Sequence, residues 1–226
     1  MGDLVYSVSV WVIPLVFAIV FHEISHGWVA NLLGDPTAAQ LGRLSPNPIR
    51  HVDPFGTVVL PLVLAVSGAP VFGWAKPVPV IAQRLRNPRI DMMLVALAGP
   101  LSNLLMAVLA TIALTFSGLE SGVEPVGFHA FVVDNLVNFL LINIFLAVFN
   151  LLPIPPFDGG HVVEGLLPRP LAAKWAQMAR YAFPVLIILL VVLPMLSPQL
   201  NVVGRLVQPI VFAIARFFLG SAGLAG

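Results

Sequence analysis

Residues 4–33 read LVYSVSVWVIPLVFAIVFHEISHGWVANLL, and this stretch decides the fold class. As a helix it is about 45 Å long, more than a bilayer core needs, so it must tilt or protrude. Pro14 is a site for a kink, and Gly34-Asp35-Pro36 is a strong terminator. His22, Glu23 and His26 are the only charged or histidine side chains in the stretch. Ionisable groups are costly in a bilayer and are read as functional, with partners to be named. His22 and His26 are four apart and stack on one helical face, the spacing that lets two imidazoles grip one metal ion. Glu23, beside the first of them, can reach a water held by the metal without occupying the metal itself. The competing reading is two helix histidines satisfied by backbone or neighbours.

The rest of the chain agrees with a membrane setting. Of 226 residues, 59% are hydrophobic and 9% charged, and the mean hydropathy is +0.99, values of a polytopic membrane protein rather than a soluble domain. A net charge of +1 without basic clusters or aromatic-basic interleaving gives no reason to expect nucleic acid as a partner. Cysteine is absent, so disulfides and thiolate ligands are excluded and any metal falls to His, Asp or Glu. The first apolar stretch has no basic n-region and contains the candidate ligands, so it is expected to be retained rather than removed as a signal peptide. One integral membrane domain is expected over 1–226, with residues 4–160 as its core and 161–226 as C-terminal helices.

Further apolar stretches lie at 55–74, broken by Pro61, Gly68 and Pro70, and at 91–117, 129–152, 181–196 and 202–219. The fold class is therefore all-α, with five to six transmembrane helices and a re-entrant or broken segment. Arg43, Arg50, Lys76, Arg84, Arg86, Arg89, Arg169, Lys174 and Arg180 fall in two connecting regions, whereas the loop between 117 and 129 carries Glu120 and Glu124 and no Lys or Arg. Lys and Arg concentrate on the cytoplasmic side, so the N-terminus is expected outside and both basic regions inside. This works if 55–74 enters and leaves on one face. A full span there would put Lys76 to Arg89 across the membrane from Arg43 and Arg50.

A catalytic zinc commonly takes three protein ligands and keeps a fourth position open. The best third candidate is Asp158, in Asn150-Leu151-Leu152-Pro153-Ile154-Pro155-Pro156-Phe157-Asp158-Gly159-Gly160. It follows a proline-stiffened segment and precedes two glycines that allow close backbone approach. In the expected topology it ends an outside-to-inside span, at the depth of His22 and His26. His161 is the rival, and a plain turn aspartate before Gly-Gly is the bland alternative. Glu164 reads as a cap or a partner of nearby basic residues, His51 as a loop residue and His129 as interfacial.

Three motifs in order then carry a resemblance: His22-Glu23-x-x-His26, Ala98-Gly99-Pro100-Leu101-Ser102-Asn103, and Asn150…Pro153…Asp158-Gly159. Together they resemble the site-2 protease family of intramembrane zinc metalloproteases. That resemblance implies one Zn2+ on His22, His26 and Asp158, with Glu23 catalytic, cleaving peptide bonds in or near transmembrane segments of membrane-anchored proteins. It suggests anti-sigma factors or signal-peptide remnants as substrates, and a multi-pass cell-membrane location with the active site toward the cytoplasm. Phe72-Gly73-Trp74-Ala75-Lys76-Pro77-Val78-Pro79-Val80 is similar to a small membrane-associated β element of a short bacterial or archaeal branch. A PDZ domain between the second and third motifs and a C-terminal CBS pair are not expected.

A transmembrane helix hides its carbonyls, so a protease must hold its substrate extended. Val78 and Val80, alternating with Pro77 and Pro79, either pair with unwound substrate or form a plain loop. Asn150 either binds substrate backbone or an oxyanion, or packs locally. Asn103 reads best as an interhelical hydrogen-bonding residue beside Gly99. Two other readings are a membrane zinc protease whose third ligand lies in a soluble domain, and a silent metal-binding protein or transporter. The first needs a domain this sequence lacks, and a transporter would show repeated halves.

Overall fold

The computed structural model of the chain describes residues 2–68, 73–118, 125–201 and 203–221. Glu120 and Glu124 of the acidic loop, and Pro70 and Phe72, lie outside the described residues. Among the described residues, five helices are long and apolar enough to cross a membrane: Leu4–Leu32, Pro88–Thr115, Gly127–Asn150, Arg169–Leu196 and Val203–Ser221. The fourth begins at Arg169, ahead of the apolar run at 181, because Arg169, Lys174 and Arg180 extend it as a polar first half. Their long stems can lie along apolar surface while the charges reach water.

The first three spans make the bundle that carries the candidate ligands. The first packs against both the second and the third, and these two pack against each other. Ala107, Ala110 and Leu114 of the second span meet Val133, Leu140 and Ile144 of the third and Val207, Val211 and Ala215 of the fifth in one buried cluster. Alanines at the contact let the helix backbones approach closely, as apolar surroundings require. The outer surface is lined with exposed Leu, Val, Ile and Phe, among them Leu101, Leu105, Ile112 and Phe212. Such a surface suits hydrocarbon and would be a liability in water.

The first span ends as its sequence predicts. Gly34 adopts φ +113°, Asp35 N–H donates to Ala30 O at 2.9 Å and Gly34 N–H to Asn31 O at 3.3 Å. This paired closure satisfies the last carbonyls of the helix and needs glycine at the positive φ. The second span starts at Pro88, and the Asp91 carboxylate accepts from Asn87 N–H at 2.8 Å.

Between these spans the chain turns back on itself. Asp53 caps a short helical piece over 54–67 by accepting from the Phe55 and Gly56 amides. Fourteen residues make about 21 Å of helix, short of a bilayer core. Trp74 N–H then donates to Gly56 O at 3.1 Å and Thr57 Oγ1 to Trp74 O at 2.8 Å, so by Trp74 the chain is back beside the start of the piece, the arrangement expected of a re-entrant segment.

Residues 73–81 are extended, but no strand forms among the described residues, which corrects the expected β element. The reason lies in the donors. Pro77 and Pro79 have none, and three of the others bond singly to scattered acceptors: Lys76 N–H to His51 O at 2.8 Å, Val78 N–H to Glu23 Oε2 at 2.8 Å, and Ile81 N–H to Asp35 Oδ2 at 2.6 Å.

Asp35 joins the end of the first span to this segment. It is fully buried; Oδ1 accepts from Thr37 N–H and Oγ1 and lies 3.9 Å from Arg84 Nη1, while Oδ2 accepts from Ile81. Burial alone would raise its pKa, but the Thr37 hydroxyl, the Ile81 and Thr37 amides and the Arg84 charge hold it below the ordinary value. Its contribution to stability is therefore complete above the unfolded pKa of about 4 and is lost as pH falls through the lower folded value. Asp35→Asn is expected to lower the thermal midpoint in detergent near pH 7. It should also flatten the further decline as pH falls below about 4. An acid limb identical to wild type would contradict this account.

Candidate metal centre

His22 and His26 face the second span, where Val95, Gly99 and Asn103 form a stripe at four-residue spacing. His26 Nδ1 lies 2.7 Å from the Val95 carbonyl and His22 Nδ1 lies 2.6 Å from Asn103 Oδ1. Both of these oxygens are acceptors, so each ring carries its proton on Nδ1 and turns the lone pair of Nε2 inward. Gly99 makes the room between them. A Cβ at that position would lie 2.5 Å from Cε1 of both rings.

Asn103 is itself fully buried and held on its other side. Its Nδ2 donates to Asn143 Oδ1 at 2.8 Å and to Ala18 O at 3.3 Å, and Asn143 Nδ2 donates to Phe139 O at 2.7 Å. One polar chain thus links the first three spans and ends on His22. The sequence reading of Asn103 as an interhelical residue is incomplete, since the same side chain also sets the His22 ring. Its spacing of four from Gly99 is the signal that could have shown this.

Asp158 begins the short helix Asp158–Leu166, after the turn that follows the third span. A carboxylate is favoured at a helix N-terminus by the exposed amides and the helix dipole. Gly159 lets the turn close, because a Cβ there would lie 2.4 Å from the Leu151 and Leu152 carbonyls. Asp158 Oδ2 comes within 3.3 Å of His22 Nε2 and 3.5 Å of His26 Nε2, and the two Nε2 atoms are 3.0 Å apart.

This triangle fits a metal on two counts. Ligand bonds of about 2.0–2.1 Å in a tetrahedron put ligand atoms roughly 3.3 Å from one another, close to all three separations. Moreover, with both ring protons on Nδ1, three lone pairs converge with no hydrogen between them. Asp158 Oδ2 is buried and has no hydrogen-bond partner. Such an arrangement is repulsive unless a cation lies at its centre. The donor set of two imidazoles and one carboxylate suits zinc.

Glu23 stands outside the triangle, with Oε2 accepting from Val78 N–H. The Val78 side chain is buried, so this residue offers its backbone rather than its side chain. Asn150 closes the third span with Nδ2 on Leu146 O at 3.0 Å. His161 turns to Glu164, with Nδ1 3.5 Å from Oε2, and is not in the triangle. His51 is buried in the loop with Nε2 on Ser45 O, and His129 bonds Ser117 O at the far end of the third span.

Comparisons with known proteins give the same direction. Residues 127–193 match peptidase family M50. YwhC of Bacillus subtilis (strain 168), provisionally named a zinc metalloprotease, is 39% identical over 181 residues, 80% of this chain and 79% of its own length. Rip2 of Mycobacterium tuberculosis (strain H37Rv), with the same provisional description, is 30% identical over 88% of this chain and 70% of its own length. Rip2 of Mycolicibacterium smegmatis is 27% identical over the same shares. No solved structure matches the chain. With 39% identity to YwhC along four fifths of this chain and 79% of that protein, this chain belongs to peptidase family M50, the site-2 proteases, a family of membrane zinc metallopeptidases.

Proposed function

We propose that this chain hydrolyses peptide bonds in or beside the transmembrane segments of membrane-anchored proteins, with zinc on His22, His26 and Asp158 and Glu23 as general base. The observation that carries this reading is the convergence of two imidazole nitrogens and a carboxylate oxygen beside a glutamate that is not one of them. Zinc supplies Lewis acidity, polarising a carbonyl and bringing the pKa of water toward about 7. Glu23 takes the proton of the attacking water and returns it to the leaving amine. Asn103 and the Val95 carbonyl hold the imidazoles in the ligating tautomer throughout.

The site is taken to lie toward the cytoplasm, where the Arg43–Arg89 and Arg169–Arg180 regions belong by charge. Water then has a short path to it. Val78 and Val80 are taken to contact the substrate backbone, and Asn150 to bind substrate or an oxyanion from the end of the third span. Because Val78 N–H is held by Glu23, the contribution of Val78 is its carbonyl, while Val80 offers both of its backbone groups. Single-span regulators such as anti-sigma factors, and signal-peptide remnants, are the substrate classes that suit such a site. Cleaving them is regulated intramembrane proteolysis.

Glu23→Gln should keep about one zinc per chain and lose cleavage of a single-span substrate about 10²–10⁴-fold. Retained cleavage would end the proteolytic reading. Asp158→Ala and either His→Ala variant should lose zinc and activity together. Asn103→Ala should weaken zinc binding about 10–100-fold without loss of folded protein, as measured by competition with a chelating dye. Gly99→Ala should weaken it at least as much, because the added methyl meets both rings; unchanged zinc affinity in both variants would contradict the ring-holding role. Val80→Pro should lower cleavage at unchanged zinc content, and undiminished cleavage would remove Val80 from the substrate contacts.

A further inference from the structure

Resting on that proteolytic reading, we propose that Asp35 is a positioning residue for the reaction: it fixes the 76–81 segment in the register that brings Val78 N–H to Glu23. Asp35 lies twelve residues beyond Glu23, at the other end of the same stretch of chain, and touches neither the metal triangle nor Glu23. Its placement is hard to explain as a helix cap alone. A carboxylate at a helix C-terminus faces the negative end of the dipole, and burial adds to the cost. The turn itself uses one oxygen, Oδ1, which accepts from Thr37. The other, Oδ2, crosses to Ile81 N–H at 2.6 Å, a bond that does nothing for the turn.

What that bond does is hold one end of a stiff arm. Pro79 fixes its own φ and restricts Val78 before it, so the position of Ile81 is transmitted to Val78 with few soft torsions between. The other end is held at Lys76, whose N–H donates to His51 O and whose carbonyl accepts from Arg43 Nη2 at 2.8 Å. Val78 sits between the two clamps and donates to the general base. Arg84 strengthens the Asp35 clamp through Thr37 Oγ1 at 2.8 Å. Freeing the Ile81 end leaves the arm held on one side, so the Glu23 carboxylate loses its fixed place. Displacements well under a bond length at a reacting centre cost rate rather than binding.

The test uses the full-length zinc-loaded protein in detergent and a single-span transmembrane peptide that the wild type cleaves, with Glu23→Gln alongside. Asp35→Asn is expected to retain zinc and to keep KM within about twofold while kcat falls roughly tenfold. Ile81→Pro, which removes the donor and leaves Asp35 its bonds to Thr37, is expected to give the same fall, and it decides the matter if Asp35→Asn does not fold. In a Val78→Pro background, where no N–H remains to be placed, Asp35→Asn should cause little further loss in kcat. Unchanged kcat in Asp35→Asn or Ile81→Pro overturns the proposal. So does a full multiplicative loss on top of Val78→Pro, which is what a role in stability alone would give. Failure of the wild type to cleave, or cleavage by Glu23→Gln, strikes the proteolytic reading instead.

Discussion

Two imidazole nitrogens 3.0 Å apart, both with lone pairs turned inward, are the constraint on which the rest of this molecule depends. Left to themselves such rings would rotate apart or share a proton. They are prevented by acceptors on the second span, the Val95 carbonyl and Asn103 Oδ1, which bind the opposite ring nitrogens. The arrangement works only if two helices are close and in one register, which Gly99 permits and the Asn103–Asn143 chain enforces. Fold and site are therefore specified by the same contacts. A shift by one residue along either helix would leave buried amide and imidazole groups without partners, each costing about 1–3 kcal/mol.

The third span brings the carboxylate, and the extended segment brings the groups around Glu23. These two contributions differ in kind. Asp158 stands on a turn closed by backbone contact at Gly159, with its charge favoured by a helix N-terminus. The 73–81 segment has no regular structure to support it and is tied to its surroundings one amide at a time. Rigid helices hold the candidate ligands, while the segment beside Glu23 is a strip of backbone clamped at intervals. The fourth span stands apart, with none of its most apolar stretch buried, although Phe183 packs edge-on against Trp74 at 5.9 Å between ring centroids.

How much of this could be read beforehand follows from distance along the chain. His22, Glu23 and His26 are local, and their spacing alone puts two rings on one helical face. Asp158 was legible because prolines and glycines mark its turn and because span order puts it at the right depth. The partner of His22 was not, since Asn103 lies 81 positions away and an asparagine in a membrane helix has many uses. The partner of His26 is a backbone carbonyl, for which no side chain speaks. Asp35 reads as a helix terminator because that is its local role; its bond to Ile81 crosses 46 positions. The β element failed for a different reason. Alternating Val and Pro resembles a strand in side-chain pattern, but a ladder is made by amides, and the prolines remove half of them.

The donor set has a further consequence in a chain without cysteine. Thiolate zinc sites are open to peroxide and to disulfide exchange, and lose metal when their sulfur is oxidised. A centre of two imidazoles and a carboxylate has no atom on that ladder. Enclosed by Asn103, Gly99 and the Asp158 turn, it should hold zinc at the same affinity in an oxidising or a reducing medium. Thiol oxidation, the usual route by which redox stress strips zinc from a protein, then has no atom to act on at this site.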